Sequence, residues 1–267
     1  MADIKVGIGG WLFPPWRGVF YPPDLPRKDE LAYASRHVTS IEINATFYGP
    51  QKPATFRRWY GETPAGFVFS LKGPRIATFR RVLAEVGPAV ERFVGSGILE
   101  LKEKLGPILW QFAGTKRLDE ADFAAFLSLL PHERDGVSLR HVVEVRHETF
   151  ATPRFVEMLR KAKVALAFVD DEDYPANYDL TGDFVYARLE RSAAGEPSGY
   201  PRQAISTWVE RFGTWSAGVA PKDAKHIHPD VLERKGGRDC FVYFISGAKE
   251  RNPAAAQALL KRLAEAK

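Results

Sequence analysis

Ser40-Ile41-Glu42-Ile43-Asn44-Ala45-Thr46-Phe47-Tyr48 alternates apolar and polar side chains. Successive side chains of a strand point to opposite faces. One set here is Ile41, Ile43, Ala45 and Phe47, and the other is Glu42, Asn44, Thr46 and Tyr48. A strand covered by helices is apolar on its helix side, so the polar set must point into the interior of a closed sheet.

The rest of the chain supplies such a sheet. Short apolar runs alternate with helical patterns from end to end, the signature of a parallel βα array. Strands are expected near 4–10, 40–48, 66–72, 107–113, 141–147, 164–170, 183–190 and 240–246. Helices are expected near 29–37, 53–62, 86–104, 118–130, 153–163, 203–216 and 253–266, with a loop-like sixth connection from Asp171 to Gly182. Asp119 precedes apolar residues at helical spacing (Phe123, Phe126, Leu127, Leu130), and Thr152-Pro153 and Pro253 read as helix openings. Eight strands with seven clear helices fit a single (β/α)8 TIM-type barrel spanning residues 1–267. The long connections are Phe13–Lys28, rich in proline and aromatics, and Arg191–Arg202, rich in glycine and serine.

Parity extends the polar interior to other strands. Val68, Ser70 and Lys72 face in on the third strand, while Phe67, Phe69 and Leu71 face out. Gln111 is inward on the fourth, Glu144 and Arg146 on the fifth, and Asp170, with Leu166 and Phe168, on the sixth. Tyr186, Arg188 and Glu190 share the inward face of the seventh, and Tyr243 is inward on the eighth. These groups lie toward the carboxyl ends of the strands, where barrel sites are found. A buried charge persists only if it is paired or functional. A structural ion-pair network of Glu42, Lys72, Glu144, Arg146 and Arg188 is the bland reading, and the clustering at the mouth favours a site.

Composition sets limits. Of 267 residues 45% are hydrophobic and 27% charged, which excludes disordered and fibrous classes. The net charge of +5 is spread over expected helices, with no dense basic stripe. Cys240, the one cysteine, lies in an apolar run and reads as a small buried hydrophobe. No signal peptide or membrane span is visible, so a cytoplasmic protein is expected.

Several motifs fail. Gly7-Ile8-Gly9-Gly10 lacks the third glycine spacing of a dinucleotide fingerprint, and Trp11-Leu12-Phe13-Pro14-Pro15 cannot open a helix. No Walker segment and no Gly-x-Ser-x-Gly elbow occur. His226-Ile227-His228-Pro229-Asp230 precedes the last strand and reads as a surface loop. His147 alone among the histidines is expected at a strand end, and nearby cations make it a poor divalent-metal site, so neither metal nor cofactor is expected. Trp11, Phe13, Trp16 and Tyr21 of the first loop would either stack on a sugar or base or plug the barrel mouth.

Glu42-Ile43-Asn44-Ala45-Thr46-Phe47-Tyr48 resembles the most specific motif of the YecE-like family, the domain of unknown function numbered 72. Gly9-Gly10-Trp11 with Trp16-Arg17-Gly18-Val19-Phe20-Tyr21-Pro22 is similar to that family's opening, and Phe69-Ser70-Leu71-Lys72 to its lysine strand. Leu105–Gln111, Glu144-Val145-Arg146-His147 and Phe184–Leu189 match further blocks, so the resemblance runs through nearly the whole chain. It implies a TIM-type barrel and supplies no reaction. Three positions depart from the family pattern: Phe79 and Glu190 stand where histidines are expected, and Ile245-Ser246 where asparagines are.

Three functions compete. The first is an enzyme acting on a small anionic, sugar-like substrate that is phosphorylated or carboxylated. It would be an acid–base hydrolase, isomerase or lyase. Lys72, Arg146 and Arg188 would hold the anion, and Glu42 or Glu144 would move protons. Tyr48 and Tyr243 would donate to an oxyanion. Asn44, Thr46, Gln111, His147, Asp170, Trp11 and Trp16 complete the expected binding surface. Lys72 as a Schiff-base nucleophile ranks lower, because neighbouring glutamates oppose the depressed pKa it needs. The second function is nucleic-acid binding or cleavage, which ranks behind for want of a basic stripe. The third is a non-catalytic ligand-binding barrel. No oligomeric state follows from the sequence.

Overall fold

In a computed structural model describing residues 2–174, 178–221, 226–228 and 236–266, eight parallel strands close into one barrel in sequence order. They are β1 (Ile4–Gly9), β2 (Ser40–Ile43), β3 (Val68–Lys72), β4 (Leu105–Gln111), β5 (His141–Glu144), β6 (Ala165–Asp170), β7 (Phe184–Leu189) and β8 (Asp239–Phe244). Closure comes from β8 pairing with β1, Cys240 opposite Ile4 and Phe244 opposite Ile8. No helix among the described residues is long and apolar enough to cross a membrane.

Strand parity divides the apolar residues into two cores. The outer one, between strands and helices, takes Val6, Ile8, Ile41, Ile43, Phe69, Leu71 and Trp110. The inner one fills the barrel with Leu109, Val142, Ala165, Ala167, Phe184, Tyr186, Phe241 and Tyr243. Each large apolar side chain so buried contributes roughly 1.5–3 kcal/mol. Cys240 belongs to the outer core, and burial pushes its thiol well up.

The helices of the described residues are α1 (Glu30–Ala34), α2 (Ala45–Tyr48), α3 (Pro53–Glu62), α4 (Arg75–Thr78), α5 (Gly87–Val94), α6 (Glu120–Ser128), α7 (Pro153–Ala162), α8 (Arg202–Ser216) and α9 (Asn252–Glu265); all but the single turns α2 and α4 fall where helices are expected. Their starts are chemically marked. The Asp119 carboxylate accepts from Asp122 N–H, the Thr152 hydroxyl from Phe155 N–H, and prolines sit in the first turns of α7 and α9. The helix expected over 86–104 is instead α5 followed by a 3-10 segment, Ile98–Lys104, because Gly97 adopts φ 104° between them. A small antiparallel ribbon, Glu133–Arg134 with Val137–Ser138, was not anticipated. Its Asp135-Gly136 turn has φ 51° and 76°, the left-handed pair that an Asp-Gly dipeptide signals. The loop expected at 171–182 carries no helix among its described residues, and 175–177 lie outside them.

Two readings of strand parity are corrected. β2 ends at Ile43, since Asn44 turns to φ −85°, ψ −19° and Ala45–Tyr48 form a single helical turn. The Thr46 hydroxyl fixes that turn by donating to the Lys72 and Ile43 carbonyls, at 2.7 and 3.2 Å. Alternation beyond the true strand end therefore carried no facing information, and Tyr48 is 79% exposed, outside the barrel. On β6 the inward residues are Ala165 and Ala167, so Leu166, Phe168 and Asp170 face the helices. Asp170 accepts from the Tyr200 hydroxyl at 3.3 Å and pairs with Arg191 at 3.8 Å, away from the barrel interior. Small alanines on one face and large residues on the other made that strand ambiguous. The alanines leave room for the ring of Phe184 and its neighbours.

β1 and β2 approach most closely at Gly7. A Cβ there would lie 2.1 Å from the Ser40 carbonyl oxygen. Gly7→Ala should therefore lower unfolding stability by about 1–3 kcal/mol, the usual cost of overpacking, as read from urea denaturation. Unchanged stability would mean that the strands separate without cost.

Candidate functional site

Arg188, on β7 and 3% exposed, stands at the centre of the inner polar set. Its Nε donates to Glu42 Oε2 at 3.2 Å from β2. One terminal nitrogen donates to Glu144 Oε2 and to Glu190 Oε1, both at 2.6 Å. Arg146, just past the end of β5, donates through Nε to Glu144 Oε1 at 2.6 Å and lies 3.5 Å from Glu190. Gln111 Nε2 donates to Glu144 Oε1 at 2.8 Å, and the Tyr186 hydroxyl to Glu42 Oε2 at 2.7 Å. Residues from β2, β4, β5 and β7, far apart in sequence, thus form one charge-assisted network.

The electrostatics differ among the carboxyls. Burial pushes the Glu144 carboxyl up, but Arg188, Arg146 and the Gln111 amide outweigh it and hold the group below the usual range. For Glu190, burial and the neighbouring Glu144 outweigh Arg188, so its carboxyl is raised. Arg188 is raised well above its ordinary value because the glutamates overcome the cost of burial. Burial, reinforced by Glu42, pushes the Tyr186 phenol up.

Lys72, the last residue of β3, is brought beside this network without joining it. It is 8% exposed, and its ammonium lies 4.3 Å from the centroid of the Phe47 ring. Among the described residues, Lys72 Nζ makes no hydrogen bond or ion pair. Burial lowers its pKa more than Glu42 and Glu144 raise it. The glutamates oppose the depression, as expected, while Arg188 and Arg146 add to the effect of burial.

Other expected site residues are placed elsewhere. The Tyr243 hydroxyl is fully buried between the Ser40 and Ser70 hydroxyls, at 2.7 and 2.6 Å, away from the mouth of the barrel. Trp16 is fully buried, and its indole N–H donates to the Lys249 carbonyl at 2.9 Å. Tyr21 is also buried, its hydroxyl donating to the Trp11 carbonyl at 2.7 Å. Both rings are packed inside the first loop rather than presented to solvent. Trp11 stays half-buried, packed edge-to-face on Trp59. His147 caps a short 3-10 turn by accepting from Thr149 N–H at 3.2 Å. His228 lies 3.2 Å from Glu157 and its backbone is held by Asp179, which ties that segment to the helix side; Pro229 and Asp230 lie outside the described residues. Among the described residues, no group of three histidine, cysteine or acidic side chains is placed to hold a metal.

The binding list drawn from sequence omitted Tyr186 and Glu190. Both carry the inward parity of Arg188, which was the signal available for them.

Two clefts adjoin the α2 turn. One, of about 800 Å³, lies over the ends of β1 and β2 and is lined by Gly9, Trp11, Asn44, Gln51, Trp59 and Lys249 among others. The second, of about 510 Å³, opens beyond α2 and α4. Neither is lined by Arg188 or its carboxylates.

A closed parallel barrel with a charged interior at the carboxyl ends of its strands defines a TIM-barrel protein with a candidate site at the usual face. The profile of the family described as protein of unknown function DUF72 matches residues 5–267, and the chain belongs to that family. A DUF72 family protein from Thermotoga maritima is similar over 98% of this chain and 99% of its own, at 20% identity and a TM-score of 0.75. One from Enterococcus faecalis matches over 99% and 98%, at 18% identity and a TM-score of 0.70. SacUVDE shares the fold more distantly, over 100% and 99% of the chains at 11% identity and a TM-score of 0.55. No curated protein matches the sequence.

Removing the central cation should expose what it neutralises. Arg188→Leu leaves Glu42, Glu144 and Glu190 buried around an apolar side chain, at a cost of about 3–5 kcal/mol near neutral pH. In the variant the carboxyls have folded pKa values raised above their unfolded ones. Their protonation therefore stabilises the fold fully below about pH 4.5, and that contribution is lost as pH rises through the folded values. The deficit against wild type should shrink on acidification. Chemical denaturation at several pH values checks this, and a deficit independent of pH would contradict the assigned coupling.

Proposed function

We propose that this barrel is an enzyme that binds a small anionic, sugar-like substrate at the carboxyl ends of its strands. The supporting observation is Lys72, an almost buried ammonium beside the network that makes no ion pair among the described residues. An unpaired buried cation is costly, and a substrate phosphate or carboxylate would relieve that cost. Arg146, at the outer edge of the network with 19% of its side chain exposed, is the second contact for the anion. The cleft bearing Trp11, Asn44 and Gln51 offers an aromatic face and two amides to the substrate's polar body.

Proton transfer falls to Glu190. Glu42 and Glu144 are fully buried and hold hydrogen bonds from Tyr186, Arg188, Arg146 and Gln111. The raised carboxyl of Glu190 sits closer to the range useful for general acid–base work. Its position replaces a histidine that the family resemblance leads one to expect, so a carboxyl takes the place of an imidazole.

A second reading rests on the same lysine. Burial lowers its pKa, the direction that eases loss of its proton, and the free amine would add to a carbonyl carbon and lose water to give an imine. Borohydride would trap that imine as a secondary amine on Lys72 if the substrate is an aldehyde or ketone.

Sulfate reports on the anion site directly. At ten times its Kd, a ligand stabilises by about 1.4 kcal/mol, and each kcal/mol raises Tm by roughly 2–4 °C for a domain of this size. Wild type should show that shift with sulfate. Lys72→Met and Arg146→Ala should lose most of it. Equal shifts in all three proteins would make both cations structural. Turnover of a panel of phosphorylated and carboxylated sugars, abolished by Glu190→Gln, separates an enzyme from a non-catalytic binding barrel.

A further inference from the structure

The cleft beyond α2 and α4 has a composition unlike the rest of the mouth. Its walls carry Phe47, Tyr48, Ile76, Phe79 and Phe93, and its rim carries Arg75, Arg80 and Arg92 with no carboxylate among the lining residues. Tyr48 and Phe79 each meet the Phe47 ring nearly perpendicular, at centroid distances of 5.2 and 5.8 Å. Phe47 is buried at their base, while Tyr48 remains 79% and Phe79 46% exposed. Flat aromatic surface is thus held out to solvent by a fixed support, although Ile76 at 50% exposure and these rings would ordinarily be covered.

The charges point the same way. Arg75 stacks over Phe79, its guanidinium carbon 4.8 Å from the ring centroid, and none of Arg75, Arg80 or Arg92 makes a side-chain ion pair among the described residues. Some exposed arginines are paired, as Arg57 with Glu100 and Arg134 with Glu91. Three unpaired guanidinium groups around one aromatic opening complement an anion, and their planar forks suit phosphate oxygens. A volume of about 510 Å³ suits one small molecule.

We propose that this cleft is a binding site for an aromatic phosphate, with the ring stacked against Phe79 or Tyr48 and the phosphate held by Arg75, Arg80 and Arg92. It uses no member of the Arg188 network and does not depend on the substrate assigned to Lys72. A single-stranded nucleic acid is the competing occupant. It would need a basic track extending beyond the cleft; Arg81 and Lys116 adjoin Arg80, but the Lys116 ammonium is already paired with Asp122 at 3.4 Å.

Titration calorimetry of the full chain with adenosine 5′-monophosphate, adenosine and inorganic phosphate tests the pairing of ring with charge. The monophosphate should bind at least tenfold tighter than either adenosine or phosphate alone. Phe79→Ala and Arg92→Ala alter exposed side chains, should leave thermal stability near wild type, and should each weaken monophosphate binding about tenfold, as expected for one stacking or one charge-assisted contact. Equal affinity of adenosine and its monophosphate, or wild-type affinity in both variants, overturns the proposal. So does an oligothymidylate that binds more tightly in proportion to its length, which would mark a strand-binding surface. The sulfate response of Lys72→Met is read separately, so failure of either site leaves the other standing.

Discussion

A guanidinium withdrawn from water is tolerated only where carboxylates surround it with good geometry, and the interior of this barrel is arranged around that requirement at Arg188. Glu42, Glu144 and Glu190 reach it from β2, β5 and the end of β7. None of these strands neighbours all the others, so the bonds cross the barrel lumen. The arrangement therefore requires closure of the sheet, and it ties the upper half of the barrel together where apolar packing gives way to polar side chains. Below it, Tyr243 hydrogen-bonds Ser40 and Ser70, which ends the polar region before the apolar rings of Phe184 and Phe241.

The same network decides what remains available for chemistry. Glu42 and Glu144 are saturated by donors, which makes them rigid and removes them from the surface of the site. Burial, with Glu144 beside it, leaves Glu190 with a raised carboxyl, and Lys72 has a ring beneath it and no hydrogen bond or ion pair among the described residues. On the proposed function, the fully paired groups hold the fold and the incompletely paired ones, Glu190 and Lys72, are those a ligand would engage.

The two clefts adjoin the turn α2, one over the ends of β1 and β2 and the other beyond α2 and α4. At the former the first loop buries Trp16 and Tyr21, and leaves Trp11 partly open. At the latter the single turn α2 turns Tyr48 outward, and Phe79 occupies a position where the family resemblance leads one to expect histidine. An apolar ring there enlarges the aromatic surface beside Phe47, which a histidine would make more polar.

Much of this was legible in the residues themselves. Alternation identified β2 and β3, the inward direction of Glu42, Lys72, Glu144 and Arg188, and the parallel order of eight strands, because a side chain's direction in a strand depends only on parity. Capping by Asp119 and Thr152 was legible for the same local reason. Parity has no meaning past a strand's end, so Thr46 and Tyr48 were placed inside when a helical turn takes them out. It cannot choose between faces when both are apolar, so Asp170 was assigned to the wrong one. Which ions pair, which tyrosine is held between two hydroxyls and which lysine makes no ion pair depend on distances between residues 30 to 200 positions apart. Those distances exist only once the sheet has closed, because closure fixes the register of every strand against its neighbours and thereby which side chains share a layer.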